Sequence, residues 1–290
     1  MEAFVRLVIA GLMAGSVYAL VGLSFSFVYK GTNLINWAQG EWFMLGGFVG
    51  FTVLEVFHFP FWSAIVIAAI VIFLAGFGVY RLLVHRMVQR GAKLLDVLLA
   101  TIGLSILLQN VAMLIWGTSV RSVPPLLKGT LSLGAIIVPR QYMIIFFTTV
   151  VAVALLYTFM QRTDFGTAMR AAADNPYAAR VVGIPEHLVN ATTWGIGAAI
   201  AGIAGVMVAP IFGAYFFLGL TVGIKGFAAA VVGGFGRPYG ALAGGLILGV
   251  VETLGAAYIS SAWKDGFAMA VLVLFLLLRP HGLFRAEAFD

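Results

Sequence analysis

Cysteine is absent from this 290-residue chain, and only 10% of its residues are charged. The first absence excludes disulfides and thiolate metal sites, and the four histidines, none in HExxH spacing, make no legible metal cluster. The second, together with 62% hydrophobic residues and a mean hydropathy of +1.06, excludes a soluble surface. A nucleotide-binding loop of the form GxxxxGK followed by Ser or Thr is also missing. Its nearest look-alike, Gly219 to Lys225, lacks both the spacing and the hydroxyl, so the chain is no ATPase by that motif. Nor do paired carboxylates or an activated nucleophile stand out, which argues against an enzyme.

What is present is membrane-like. Apolar runs near the ~20 residues that a bilayer requires lie at 4–29, 41–57, 62–82, 95–116, 141–160 and 189–209. Shorter or broken runs follow at 219–235, 239–259 and 265–279. The expectation is an all-α polytopic transmembrane bundle of eight or nine spans, one domain over 1–290. Breaks or re-entrant segments are expected at 33–57 and 210–236, where Asn, Gln, Gly and Pro interrupt the hydrophobicity. The first run lacks a basic leader and reads as a span rather than a cleavable signal. The net charge of +6 sits mainly in loops and at span ends, which suits topology signals and lipid headgroups better than nucleic acid.

Arg81, Arg86, Arg90 and Lys93, with no acidic residue before Asp96, place 81–93 in the cytoplasm. Parity then puts 117–140 outside and 161–188 inside; nine spans leave the N-terminus outside, and one re-entrant segment would reverse it. The outer loop 117–140, with Pro124-Pro125 and the run TLSLGAIIV, reads as a short extended hairpin. It is either a contact for an extracytoplasmic partner or a plain connector.

The cytoplasmic stretch Arg162 to Gly183 is a polar, alanine-rich island. Thr163 and Asp164 can cap a first short helix, and Asp174 or Asn175 a second with Pro176 at its first position. Arg180 falls in the last turn and Gly183 supplies the stop. Alanines permit close approach by another surface, so the docking candidates are Arg170, Ala172, Asp174, Pro176, Ala179, Arg180 and Gly183.

Polar groups at membrane depth are expensive and mark a path or a structural bond. Asn33, Asn36 and Gln39 recur at three-residue spacing with Glu41 just beyond, and would line one side of a helix. Glu252, inside a span, needs a partner, and Lys225 is the nearest basic group without an explanation. Gln109 and Asn110 suit interhelical hydrogen bonds. Gly240 with Gly244 and Gly245 with Gly249 form consecutive GxxxG pairs for close backbone packing, within the chain or against a second subunit.

Four blocks carry a family resemblance: YALVGLSFSFVYKGTNLINWAQGEWFMLGG at 18–47, RTDFGTAMRAAADNPYAARVVGI at 162–184, AAAVVGGFGRPYGALAGGLILGVVE at 228–252 and ISSAWKDGFAMAVLVLFLLLRPHGLF at 259–284. In this order they resemble the permease subunits of branched-chain amino acid ABC transporters, a group that includes urea and short-chain amide importers. The resemblance implies that 162–184 is a coupling loop seated in a groove of a cytosolic ATPase subunit. It also implies a second permease chain, two ATPases that bind the ATP, a periplasmic binding protein and residence in the inner membrane. Where many relatives have histidine, this chain has Gln39, which keeps hydrogen-bonding capacity and loses the titratable ring. The expected function is inward transport of branched-chain amino acids. The alternatives are urea or short amides, or an ion-coupled carrier using Lys225 and Glu252.

Overall fold

The computed structural model describes residues 2–133, 136–279 and 281–284. The end of the expected cytoplasmic tail and two residues of the outer loop lie outside them. The chain begins with α1 (Glu2–Thr32), α2 (Gln39–Phe51) with a π-helical turn over Thr52–Val56, and α3 (Phe61–Val79). A second π turn at Tyr80–Val84 carries α3 into α4 (His85–Gln89), and α5 (Leu94–Trp116) follows. The 117–140 loop, expected outside, holds an antiparallel hairpin, β1 (Thr130–Leu133) paired with β2 (Ile136–Pro139), as its alternating pattern predicts. Then come α6 (Arg140–Arg162), the short α7 (Asp164–Asp174) and α8 (Pro176–Val181), and α9 (Glu186–Phe212). The chain continues through α10 (Leu218–Gly233), α11 (Pro238–Tyr258) and α12 (Lys264–Leu278).

Among the described residues seven helical stretches are long and apolar enough to cross a membrane, which makes this an all-α polytopic membrane protein. The count falls short of eight or nine because α2 and α10 are short: the 16 residues of α10 reach only ~24 Å at 1.5 Å each. Both follow non-helical segments, 33–38 and 213–217, inside the two stretches expected to be broken. Asn33 (φ 54°) and Gly213 (φ 76°) take the left-handed conformation that turns the chain back.

Helix directions follow from contacts. Asn33, just past the end of α1, donates to the Ala173 carbonyl in α7, and α9 starts close after α8. At its other end α9 leads into Ala214, which bridges to Arg121 in the 117–140 loop. Thus α1 and α9 run antiparallel, and each continues as turn-back, short helix, long helix. Helix α1 packs on α11 as α9 packs on α3, so the two halves exchange partners.

Glycine makes those contacts close. A Cβ on Gly11 or Gly15 of α1 would strike the backbone at Val250 or Gly245, and one on Gly245 would reach Ala19. Gly249 meets Gly11 and Gly15, Gly244 meets Ala229, and Gly240 meets Gly233. Gly240, Gly244, Gly245 and Gly249 are therefore taken up by α1 and α10 of the same chain. Of the two uses the sequence allowed, close packing within the chain is the one these contacts fill. Exposed apolar side chains such as Trp62, Leu74, Leu114 and Leu155 cover the outside of α3, α5 and α6, as a lipid-facing surface requires.

Candidate functional site

The start of α2 crosses the start of α10 in the interior. A side chain at Gly40 would run into the Gly219 carbonyl, and a Cβ on Gly223 would lie 2.9 Å from the Gly40 Cα. In the first turn of α2, the Glu41 carboxylate is 2% exposed. Its Oε1 accepts from Ser105 Oγ at 2.9 Å and from Gln109 Nε2 at 3.1 Å, both on α5. Its Oε2 is buried without a hydrogen-bond partner, at the place a Gly219 side chain would occupy. Helix N-termini carry partial positive charge, and this carboxylate stands at two of them, which offsets part of its burial cost.

A narrow cleft opens on Glu41, walled by Phe25, Trp37, Leu220, Ile224 and Phe227, with room for about one water. Phe227 also lines a larger, mostly apolar cavity of about 340 Å³ with Tyr29, Val231, Phe235 and Phe284. Its ring centroid lies 5.7 Å from Phe25, 5.5 Å from Trp37 and 5.4 Å from Phe235. These rings form a septum between cleft and cavity. Because Tyr29 is on the last turns of α1, the cavity lies on the side of α7 and α8.

The other polar candidates separate. Segment 33–38 is not helical, so the expected one-sided stripe does not form. Asn36 Nδ2 donates to Gln39 Oε1 (3.1 Å), Gln39 Nε2 donates to the Gly197 carbonyl (2.7 Å), and Asn36 Oδ1 accepts from Ala38 N–H. Both amides are thus occupied in tying the break to α9. Asn33 is exposed and bonds to α7 at 2.8 Å, away from the cleft. Gln109 meets Glu41, whereas Asn110 bonds back to Ile106 of its own helix.

Glu252 does find Lys225. The Nζ is 2.8 Å from Glu252 Oε1 and 2.6 Å from Asp265 Oδ1. Tyr18 donates its hydroxyl to Glu252 at 3.2 Å, and Lys264 approaches at 3.7 Å. Asp265 and Tyr18 were not legible as partners, because nothing in sequence spacing joins α1 or the start of α12 to α11.

In the island, Thr163 Oγ1 accepts from Gly166 N–H and Asn175 Oδ1 accepts from Tyr177 and Ala178 N–H. The caps are Thr163 and Asn175, leaving Asp174 as the last, exposed residue of α7. Pro176 opens α8, and Gly183 (φ 86°) turns the chain out of it. Arg170 reaches Thr167, and Arg180 lies 3.8 Å from Glu186. Ala172 and Ala179, proposed as docking contacts, are 1% and 2% exposed. They pack inward on Phe27, Met160, Met169 and Val189, where a methyl fits and a larger group does not. The outward residues are instead Tyr177, Val181 and Val182, at 73%, 71% and 75% exposure. Their placement depends on the phase of a six-residue helix, which composition does not reveal.

Residues 7–276 match the family model described as branched-chain amino acid transport system, permease component. The chain is 33% identical to the high-affinity branched-chain amino acid transport system permease protein BraD of Pseudomonas aeruginosa, over 97% of this chain and 95% of that one. It is 35% identical to the corresponding LivH proteins of Salmonella typhimurium and Escherichia coli, each over 97% of this chain and 95% of theirs. No solved structure matches. The broken helices, the capped island at 162–183 and this full-length similarity agree: the chain belongs to the permease components of branched-chain amino acid transport systems.

Proposed function

We infer that this chain is the membrane-spanning subunit of an ATP-driven importer carrying branched-chain amino acids inward across the inner membrane. A second permease chain, two cytosolic ATPase subunits and a periplasmic binding protein complete the assembly. In this reading α2 and α10, each with the non-helical segment before it, make two further crossings, giving nine spans and an outside N-terminus. The crossing directions then agree with the basic 81–93 loop and with α7 and α8 on the inside.

The observation that carries the reading is the outward apolar face of α8. Tyr177 and Val181 of α8 and Val182 just past its end are exposed, and with the island on the cytoplasmic side, as this reading has it, such apolar side chains mark a contact for a soluble partner. Asp174, Pro176, Arg170, Arg180 and Gly183 shape and flank that face. Lys225 and Glu252 are matched to each other and to Asp265, which supports ATP-driven transport over an ion-coupled carrier. The test is ATP-dependent uptake by the reconstituted complex with leucine, urea and acetamide in competition. Leucine uptake that excess urea or acetamide leaves unchanged is expected; no ATP-dependent uptake of any of the three would refute the assignment.

A further inference from the structure

We propose that the Glu41 cleft is the point in this subunit at which a zwitterionic, apolar α-amino acid is held during passage. Glu41 Oε2 would receive the ammonium group, and the first amides of α10 the carboxylate. The proposal rests on the transport reading above and names the chemistry of its path.

Glu41 differs from every other buried polar group of the expected path. The amides of Asn36 and Gln39 are spent on each other and on α9. Glu252 also has one oxygen without a hydrogen bond, but Lys225 and Lys264 surround its other oxygen with positive charge. Glu41 has no ion-pair partner among the described residues, and Ser105 and Gln109 fix its Oε1 so that Oε2 points at Gly219. A carboxylate held in that way, with one acceptor free in a closed space, suits a primary ammonium.

The opposite charge has a place beside it. Leu218 N–H donates to Tyr215 and Thr221 N–H to Phe217, so the helix begins at 218. Gly219 and Leu220 N–H belong to the first turn, which has no carbonyl partner inside the helix. Gly219 lets the backbone come up to Glu41, since any Cβ there would collide with Oε2. A broken helix offering its N-terminus at membrane depth is suited to an anionic group. Phe25, Trp37, Ile224 and Phe227 leave only apolar surface for the side chain. With room for about one water, the cleft is closed in this conformation, and α2 and α10 must separate to admit a substrate.

Two variants of the full complex test this, with leucine uptake, ATPase assembly and basal ATP hydrolysis measured together. Glu41→Gln keeps size and the Ser105 contact but removes the charge; Gly219→Ala keeps the charge and places a methyl on Oε2. Each is expected to assemble with the ATPases and to lose leucine uptake about tenfold or more, the loss associated with a charged hydrogen bond. Glu41→Asp, which retains the carboxylate, should recover part of the rate. If the unaltered complex takes up leucine and either assembled variant does so at the same rate, the site is wrong while the transport reading stands. If the unaltered complex takes up no leucine, the transport reading itself has failed.

Discussion

Lys225 Nζ lies 2.8 Å from Glu252 Oε1 and 2.6 Å from Asp265 Oδ1, so one ammonium joins α10 to α11 and α12. Glu252 is buried, whereas Asp265 is largely exposed at the start of α12. Removing one member of a buried pair leaves an uncompensated charge and costs about 3–5 kcal/mol, while an exposed pair contributes about 1 kcal/mol or less. Lys225→Met should therefore lower the unfolding temperature in detergent far more than Asp265→Asn, and adding Glu252→Gln to Lys225→Met should restore part of the loss. Equal effects of the two single changes would mean that the buried partner is not the one that matters.

The glycine contacts predict a contrast between two positions. Gly245 faces the Ala19 backbone, and Gly78 has nothing within 4 Å of an added Cβ. Gly245→Val should prevent α1 and α11 from meeting and abolish the folded yield. Gly78→Ala should stabilise by up to about 1 kcal/mol through helix propensity alone. Yield and melting temperature of the purified permease check both.

For the proposed ATPase contact, Val181→Asp and Tyr177→Ala should abolish co-purification of the ATPase subunits with the permease melting temperature unchanged, because both side chains are exposed and take little part in the packing of the fold. Ala179→Arg should instead unfold the island, since its Cβ faces a packed apolar cluster with no partner for a charge. Protease sensitivity around α8 distinguishes the two outcomes.

At the septum, Phe227→Ala removes the ring shared by the cleft and the inner cavity. The expected result is ATP hydrolysis that no longer depends on delivery of substrate, with slow efflux of preloaded leucine from vesicles. Tight vesicles with fully stimulated hydrolysis would show that closure lies elsewhere.

Much of this arrangement was legible because hydrophobic length and capping chemistry are local. The run interrupted at Asn33 and Asn36 did break, and the second broke at Gly213, three residues past Pro210, which α9 contains; Thr163 and Asn175 did cap; the alternating stretch of the 117–140 loop did form a hairpin. Lys225 and Glu252 could be paired because two charges in apolar context have few alternatives. What stayed hidden was phase and distance. Ala172 and Ala179 point inward because Phe27 and Val189, from helices far apart in sequence, supply their neighbours. The contact of Glu41 with Ser105 and Gln109 depends on α5 lying beside α2, which no spacing encodes. GxxxG pairs report that something approaches closely without saying what, and here the partner was the same chain.

The bond from Asn33 to the Ala173 carbonyl has a mechanical meaning. Segment 33–38 is a non-helical tether clamped at one end to α7 and at the other, through Gln39, to the Gly197 carbonyl in the middle of α9. Because Gln39 opens α2 and is bonded to α9, a displacement of α7 relative to α9 would have to break one of these two hydrogen bonds or carry the start of α2 with it.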